Sequence, residues 1–351
     1  MKSIGKPKGQ SVTLPRCLGC YNKLSSARMT KVTQNLFCRR CRQLLFDGAE
    51  GCLNPRLDFC SQNDQRVVSL ISKSAIAGYQ LKLPICMEDL LEAAVKPNKG
   101  CQFILKPIAT HFVSPIENME DLPENEHLTM QIARQVFGLK TADNALIYLQ
   151  DGRPAYLTRR FDVLDNGLKL AQEDFCQLMN RSAAVNGENF KYDSSYDEMG
   201  QIFRKVGTPV TQQEAFFKQI LFNYLISNGD AHLKNFSLIR AVQGGYRLSP
   251  AYDLLCTRLH TPMESDVALD LFEGDMDFPY YDTYGRYGTP EFLELAVRLG
   301  IKESRARRFL ADFTSAQKLD QVRQMVENCF LSDSSKEKYI ALLKGKRTAF
   351  D

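Results

Sequence analysis

The spacing of apolar residues changes from short strand-like runs in the first half of the chain to helical spacing in the second. Runs at residues 103–106 and 155–157 predict strands, and the segment 124–137 between them keeps helical spacing. Helical spacing returns at residues 216–226 and near the C-terminus, at residues 290–300, 302–315 and 335–343. The pattern predicts an α+β protein, with a small antiparallel sheet followed by a mostly helical half.

A polar loop at residues 228–235 carries a candidate catalytic set. Asp230 could accept the proton of an attacking hydroxyl group, because a carboxylate at this point of a loop is a suitable general base. Asn235, five positions later, and Asp253 could hold Mg²⁺ against the phosphates of ATP. This combination indicates phosphoryl transfer.

The surroundings of the loop decide between this hypothesis and simpler ones. An Asp followed by an Asn is a weak pattern alone, Asn228-Gly229-Asp230 is also a turn signal, and Asp253 could merely cap a helix. However, a helix precedes the loop, and a hairpin of residues 236–239 and 246–248 follows it. Helix, loop, hairpin and metal-binding Asp is the order in the C-terminal lobe of protein kinases.

The first half of the chain contains residues that could bind the phosphates of ATP. Lys106 ends an apolar strand, where its charge could pair with the α- and β-phosphates. An ordinary strand-end lysine in solvent is the alternative, and it would be favoured if Lys106 stood alone. Glu126, on the predicted helix 124–137, could pair with Lys106 as the corresponding helix Glu does in kinases. Glu124 is the competitor for that role, and its alternative is to stabilise the positive end of the helix dipole.

Seven short motifs in this order resemble the HipA family of bacterial serine/threonine kinases, which are toxins of toxin–antitoxin operons. The short HipT-type toxins look most similar, since they share Glu-Asn-Glu-His and Gly-Tyr-Gln and lack a large N-terminal subdomain. The motifs are Gly78-Tyr79-Gln80-Leu81-Lys82, Phe103-Ile104-Leu105-Lys106-Pro107, Glu124-Asn125-Glu126-His127, Arg160-Phe161-Asp162, Gln172-Glu173-Asp174, the loop from Asp230 to Asn235, and Ser249-Pro250-Ala251-Tyr252-Asp253.

The resemblance implies a bilobed, protein-kinase-like fold and further site residues. The segment around Arg159 and Phe161 matches the one that binds adenine through its backbone in the family, although family members often have Glu in place of Arg159. His232 and Lys234 are implied either to position Asp230 or to steady the transferring phosphoryl group. A packed loop histidine is the alternative for His232.

The resemblance also implies partners. The protein substrate would be an aminoacyl-tRNA synthetase, whose phosphorylation halts translation. The inhibitor would be a HipB-like DNA-binding antitoxin, with a small HipS-like protein in three-gene systems, so that DNA is contacted only indirectly.

The loop that carries autophosphorylation in the family differs here. Its two serines precede the Gly of Gly-Tyr-Gln, and this chain has Ala75 and Ala77 before Gly78. Alanine has no hydroxyl group to phosphorylate. Either both serines were replaced by engineering, or the natural protein is regulated otherwise, with Ser72 or Ser74 as candidates.

Two Cys-x-x-Cys pairs near the N-terminus predict a zinc-ribbon-like module. Cys17 and Cys20 form the first pair, and Cys38 and Cys41 form the second. Four thiolates at this spacing can bind one Zn²⁺ tetrahedrally, and a short strand is expected at Leu36-Phe37. Unmetallated core cysteines are the alternative. The other cysteines are expected to be core residues.

Composition leaves this interpretation unchanged. The 351 residues carry a net charge of +4, and no apolar run is as long as a membrane span of roughly 20 residues. The N-terminus lacks an apolar signal core, so the cytoplasm is the expected location. The expected divisions are a module at residues 1–50, an N-terminal lobe at 65–160 and a C-terminal lobe at 161–351. A weakly catalytic docking module and a small-molecule kinase remain as rival hypotheses.

Overall fold

The computed structural model describes residues 16–24, 36–49, 82–90, 101–108, 116–149, 152–164, 167–241, 244–274 and 278–351. These residues form two antiparallel sheets and a series of helices. The strands are β1 (Leu83–Ile85), β2 (Phe103–Pro107), β3 (Asn144–Tyr148), β4 (Pro154–Arg159), β5 (Gln172–Asp174), β6 (Ser237–Arg240) and β7 (Tyr246–Leu248). The helices are α1 (Arg39–Phe46), α2 (Met87–Leu90), α3 (Leu122–Gln135), α4 (Phe175–Leu178), α5 (Ala183–Asn186), α6 (Tyr196–Lys205), α7 (Val210–Leu225), α8 (Pro279–Tyr284), α9 (Thr289–Arg298), α10 (Glu303–Phe313), α11 (Ala316–Glu327) and α12 (Asp333–Arg347).

The first sheet has the strand order β1-β2-β4-β3. Its side chains point alternately to its two faces, and Leu83, Leu105 and Leu157 are fully buried. Helix α3 packs against β3 and β4, and it begins with Pro123 in its first turn, where no backbone N–H is required. The sheet therefore holds β2 and α3 close together, and these elements carry Lys106 and Glu126.

The second sheet has the order β5-β6-β7 and frames the polar loop. Leu238 of β6 pairs with Leu248 of β7 in antiparallel register. A single 3-10 turn, Leu233–Asn235, leads directly into β6, and Asp253 follows shortly after β7. The hairpin therefore brings the ends of both candidate motifs to one side of the helical half.

An aromatic cluster fills the core beneath this sheet. Phe216 of α7 is fully buried, stacks on Phe175 at 6.0 Å between ring centroids, and meets Phe236 edge-on at 5.3 Å. Phe203 of α6 lies 5.0 Å from the same ring. Rings in such contacts contribute beyond the area they bury, so Phe216 is a central packing residue.

The segment that holds the four N-terminal cysteines shares its core with the first sheet. Phe46 of α1 lies 5.9 Å from Phe103 of β2 and 5.3 Å from Phe37, measured between ring centroids. Leu18 O accepts a hydrogen bond from Leu146 N at 3.0 Å. The boundary expected at residue 50 lies among residues that the structure does not describe, so the three-part division stays a prediction.

Most of the predicted elements are present. Strands cover residues 103–107 and 154–159, and helix α7 contains the predicted 216–226 segment up to Leu225. Of the motif Gly78-Tyr79-Gln80-Leu81-Lys82, only Lys82 lies in the described ranges, and β1 begins directly after it. Helices α6 and α11 were not predicted, although α6 buries an amphipathic face that includes Met199 and Phe203.

The strand expected at Leu36-Phe37 is wrong. These residues form no strand, and the second Cys pair instead begins helix α1. Cys38 is the N-cap of that helix, and its sulfur accepts a hydrogen bond from Cys41 N at 3.5 Å. A sulfur that satisfies a free N–H at the start of a helix favours this helical arrangement over a β-ribbon. In the described ranges, no helix is long and apolar enough to cross a membrane.

Replacing Phe216 with Ala should lower the free energy of unfolding by about 3–5 kcal/mol, because it leaves a cavity among three aromatic rings. Val210→Ala is a suitable control in the same helix, since Val210 is 45% exposed. Urea denaturation of both variants measures the difference. Equal losses for the two variants would contradict the central role of Phe216.

Candidate functional site

Three charged side chains from separate elements meet at the site. Lys106 Nζ lies 2.5 Å from Glu126 Oε1 and also contacts Asp253 Oδ1. Lys106 is 3% exposed and Glu126 is 1% exposed, so this ion pair is shielded from solvent. The lysine side chain passes over the ring of Tyr156, with Nζ 5.4 Å from the ring centroid. The pairing expected from the sequence is therefore present, and it involves Glu126 instead of Glu124.

Asp253 receives a second lysine. Lys82 Nζ donates a hydrogen bond to Asp253 Oδ2 at 2.7 Å. Asp253 has a φ of +54°, in the left-handed region that Asp and Asn enter more readily than other non-glycine residues. Lys82 belongs to the Gly78-Tyr79-Gln80-Leu81-Lys82 motif, but no sequence pattern gave it a role. The register of β1 and β2 would have pointed to it, because continuing that register by one pair places Lys82 opposite Lys106.

The pKa values follow from burial and these pairings. Burial alone would raise the pKa of Asp253, but the charges of Lys106 and Lys82 outweigh it and hold that pKa far below its usual range. Burial alone would likewise lower the pKa of Lys106, yet the carboxylates of Asp253 and Glu126 raise it. Asp253 and Lys106 therefore stay charged at neutral pH.

Glu126 behaves differently from its partner. Burial raises its pKa to about 7, because desolvation and the nearby Asp253 carboxylate outweigh the attraction of Lys106. Among the described residues, Asp253 has two lysines to hold its charge, whereas Glu126 pairs with Lys106 alone. Of the two carboxylates that contact Lys106, Glu126 is therefore the one that is protonated more readily near neutral pH.

Asp230, in the loop before β6, already accepts a hydrogen bond from a hydroxyl group. Tyr192 Oη donates a hydrogen bond to Asp230 Oδ1 at 2.5 Å. Asp230 keeps 35% of its side chain exposed, so a further group can reach it. Gly229 is required beside it, since a Cβ there would lie 2.4 Å from Ser265 O. Tyr192 belongs to a 3-10 turn far away in sequence, and no sequence signal linked it to Asp230.

His232 and Lys234 support the loop from opposite sides. His232 Nε2 lies 3.8 Å from Asp230 Oδ1, and burial lowers the His232 pKa to about 4. The imidazole is therefore neutral at pH 7. Lys234 Nζ pairs with Asp174 at 2.8 Å, and Lys234 O accepts a hydrogen bond from Tyr252 Oη at 2.9 Å. Lys234 thus ties the loop to β5 and to the residue before Asp253.

Asn235 ends the 3-10 turn that leads into β6 and is buried. Its backbone N–H donates to His232 O at 2.9 Å. The structure thus places Asn235 in the same short loop as Asp230, close to the sheet that leads to Asp253.

The Arg159 side chain contacts the segment that holds the N-terminal cysteines. Its guanidinium pairs with Asp47, just after α1, at 2.7 Å and also donates to Leu44 O and Leu45 O. Its backbone N–H donates to Asp143 O at 2.7 Å. Phe161 lies 5.6 Å from the ring of Tyr252, between centroids. The Arg159 side chain therefore anchors the cysteine-containing segment.

A cleft of about 280 Å³ lies beside this segment. Arg159, Arg160 and Phe161 line one side of it, and Arg247 lines another. Neither Lys106 nor Asp253 lines the cleft, so it is separate from the charged network.

The four N-terminal cysteines meet as a cluster. The sulfurs of Cys17, Cys20, Cys38 and Cys41 all lie within 4.8 Å of one another. A tetrahedron with Zn–S bonds of about 2.3 Å requires sulfurs roughly 3.8 Å apart, and those of Cys20 and Cys38 are 3.8 Å apart. Hydrogen bonds from the Cys20 and Cys41 thiols hold the pKa of Cys17 far below its usual value. The same hydrogen bonds raise the pKa values of Cys20 and Cys41, so the fit to a divalent metal ion rests on the convergence of the four sulfurs.

The cysteine cluster is tied to the helix of Glu126. Tyr21, next to Cys20, is buried with its ring centroid 4.9 Å from His127 and 5.5 Å from Phe330. His127 directly follows Glu126 in α3. Ala75, Ala77 and Gly78, the expected regulatory positions, lie outside the described residues.

The family model described as the HipA-like C-terminal domain matches residues 74–320. The chain belongs to this family. This HipA-like chain is 27% identical over 267 residues to a Haemophilus influenzae protein named "Putative kinase", covering 72% of this chain and 75% of that protein. It is 27% identical over 191 residues to the Shewanella oneidensis serine/threonine-protein kinase toxin HipA, covering 49% of this chain and 43% of the toxin.

The fold of this HipA-like chain also resembles a solved structure. The Shewanella oneidensis HipA in a complex with HipB and its operator DNA matches with a TM-score of 0.59 and 19% identity. The alignment covers 78% of this chain and 64% of that one. The chain spans less than half the length of the Shewanella toxin it matches by sequence, and three quarters of the Haemophilus relative. Its relatives include proteins named as kinases, whose activity implies ATP and Mg²⁺.

The pKa of Glu126 gives a testable pH dependence. Since burial raises it from 4.5 to about 7, the folded chain binds this proton more tightly than the unfolded chain does. The resulting stabilisation is complete below about pH 4.5 and is lost as the pH rises through about 7. Carboxyl ¹³C NMR of the ligand-free protein should show a titration near pH 7 that is missing in Glu126→Gln.

Glu124 serves as the matched comparison, since burial also raises its pKa to about 7. Glu124→Gln should remove a different resonance from the same pH range and leave that of Glu126. A Glu126 resonance that titrates below pH 5 would show that the charge of Lys106 outweighs burial.

Proposed function

We propose that this HipA-like chain is a serine/threonine protein kinase that transfers the γ-phosphoryl group of ATP to a protein hydroxyl group. The observation that carries the proposal is the buried contact of Lys106 with both Glu126 and Asp253. Kinase catalysis requires a lysine paired with a helix glutamate and, close to it, an aspartate that can bind Mg²⁺. Family membership supports the same activity.

Each site residue has a role in this proposal. Lys106 binds the α- and β-phosphates, and Glu126 keeps it oriented. Asn235 and Asp253 hold Mg²⁺, which neutralises charge on the phosphates when bound. Asp253 presents both carboxylate oxygens to cations in this structure, so its position suits a metal ligand. The backbone near Arg159 and Phe161 is the proposed adenine contact.

Asp230 orients the acceptor hydroxyl group and takes its proton. The Tyr192 hydroxyl supports this role, because it donates a hydrogen bond to Asp230 Oδ1 as an acceptor hydroxyl would. Neutral His232 packs beside Asp230 without adding a charge. Lys234 braces the loop through Asp174.

The wider role is proposed from the family. The chain would act as a HipT-type toxin in the cytoplasm, with an aminoacyl-tRNA synthetase as its substrate. A HipB-like antitoxin would inhibit it, by analogy with the Shewanella HipA that is found in complex with HipB and DNA. A HipS-like protein is the further partner of three-gene systems, and DNA would be contacted only through the antitoxin. Ala75 and Ala77 leave the loop before Gly78 without the family's phosphorylation sites.

The cysteine cluster would hold a structural Zn²⁺. A four-thiolate site has no open coordination position for catalysis. The metal would link the turn at Cys17 to the start of α1. Tyr21 would then hold this segment against α3 through its contact with His127.

The kinase proposal is tested by ATP-dependent phosphate transfer to a panel of purified aminoacyl-tRNA synthetases in the presence of Mg²⁺. Asp230→Asn should slow transfer roughly 100-fold or more, because it removes the general base. Asp320→Asn, at an exposed carboxylate on α11, should leave the rate unchanged. Transfer that persists in Asp230→Asn would reject the assigned base, and ATP binding without any transfer would favour a docking role.

The metal proposal is tested by elemental analysis of the purified chain. One Zn²⁺ per chain is expected, because four sulfurs already converge. Cys20→Ser and Cys38→Ser should each lose the metal, whereas Cys176→Ala, at a buried cysteine of the helical half, should retain it. A metal-free chain that still folds after growth in zinc-supplemented medium would overturn the assignment.

A further inference from the structure

The strand pair β1–β2 has two lysines at one end and two cysteines at the other. Its register pairs Leu83 with Leu105 and Ile85 with Phe103. Continuing that register one pair beyond Leu83 reaches Lys82 and Lys106, and both lysines contact Asp253. The other end leads to two cysteines, Cys86 just after β1 and Cys101 shortly before β2.

The sulfurs of these two cysteines lie in contact. Cys86 Sγ and Cys101 Sγ are 2.6 Å apart, and both residues are free thiols of intermediate exposure. They were expected to be separate core residues, and that interpretation is corrected by their proximity and partial exposure. Across the described ranges, three or more metal-binding side chains converge only at the N-terminal cysteine cluster. A pair of thiols without further ligands is suited to a disulfide bond and not to a metal ion.

We propose that Cys86 and Cys101 form a reversible disulfide bond that fastens β1 to β2. In a reducing compartment such bonds are usually transient and redox-sensing. The oxidant is a small-molecule disulfide of the glutathione type. The inference does not depend on the proposed kinase activity, because it concerns only the two thiols and the strands that bear them.

The chemistry is thiol–disulfide exchange in two steps. One cysteine, as a thiolate, attacks a sulfur of the glutathione disulfide, whose S–S bond breaks and releases one glutathione. The second cysteine then attacks the protein sulfur of this mixed disulfide and releases the second glutathione. Two protein thiols are oxidised, one glutathione disulfide is reduced, and the two protons pass to the released glutathiones.

The pH sets the rate of this exchange, because each attack needs a thiolate. Burial raises the pKa of Cys86 to about 12, and Cys101, Asp89 and Glu88 add to that effect. The bond should therefore form faster as the pH rises.

The bond would act on a weak part of the fold. Strand β1 has only three residues and lies at the edge of its sheet, paired with β2. An edge strand this short separates from its neighbour easily. A covalent link one residue beyond Ile85 would hold the strand in register, and with it the position of Lys82 opposite Lys106.

The test uses the purified 351-residue chain, treated with oxidised glutathione or with a phosphine reductant. Peptide mapping by mass spectrometry under non-reducing conditions should find Cys86 and Cys101 linked, with the loss of two hydrogens. Hydrogen–deuterium exchange of the Leu83 and Ile85 amides should slow at least tenfold in the oxidised form; Pro84 between them has no N–H to exchange. Cys86→Ser and Cys101→Ser should each abolish both effects, and Cys256→Ala, at a buried cysteine elsewhere, should change neither.

Different outcomes would overturn the disulfide bond, its fastening role and the proposed kinase activity. Failure of the bond to form, or a bond from Cys86 to Cys52, Cys60 or a cysteine of the N-terminal cluster, overturns the proposal. Formation of the Cys86–Cys101 bond without slower exchange in β1 overturns the fastening role. Absence of kinase activity in every form leaves these readouts intact, so a failure of the proposed function would be recognised separately.

Discussion

The buried charge of Lys106 is the constraint on which the site depends. A lysine that is almost fully buried must be paired, and its two carboxylate partners come from helix α3 and from the segment after β7. Removing one partner of such a buried group typically costs about 3–5 kcal/mol, because an uncompensated charge remains. The sheet, the helix and the helical half therefore have to meet in one arrangement for the chain to satisfy this residue.

Much of this arrangement could be predicted from the sequence. Asp230, Asn235 and Asp253 were found because their spacing and the hairpin between them follow from local patterns. Lys106 and Glu126 were paired because a strand-end lysine and a helix glutamate form a known combination. Local patterns indicated phosphoryl transfer, and the resemblance of seven motifs to a kinase family supported the roles predicted for these residues.

The remaining features depend on contacts between distant segments. Tyr192 reaches Asp230 from another part of the helical half, and Arg159 turns toward α1 because Asp47 and two free carbonyl groups lie there. The expected strand at Leu36-Phe37 is absent, and α1 begins just after it at Arg39, where the Cys38 sulfur caps the helix. Composition and periodicity do not show which of two possible local structures is stabilised by contacts with distant segments.

Tyr21 has a mechanical consequence for motion between the two halves of the molecule. Its ring contacts His127 on α3 and Phe330 after α11, and nearby Arg16 binds Asn328. The cysteine-containing segment therefore bridges the sheet-bearing half and the C-terminal helices on the side of α3. A rotation that separated the two halves on this side would have to break the contacts of Tyr21 with His127 and Phe330. A rotation that opens the molecule along another edge keeps these contacts and therefore costs less free energy.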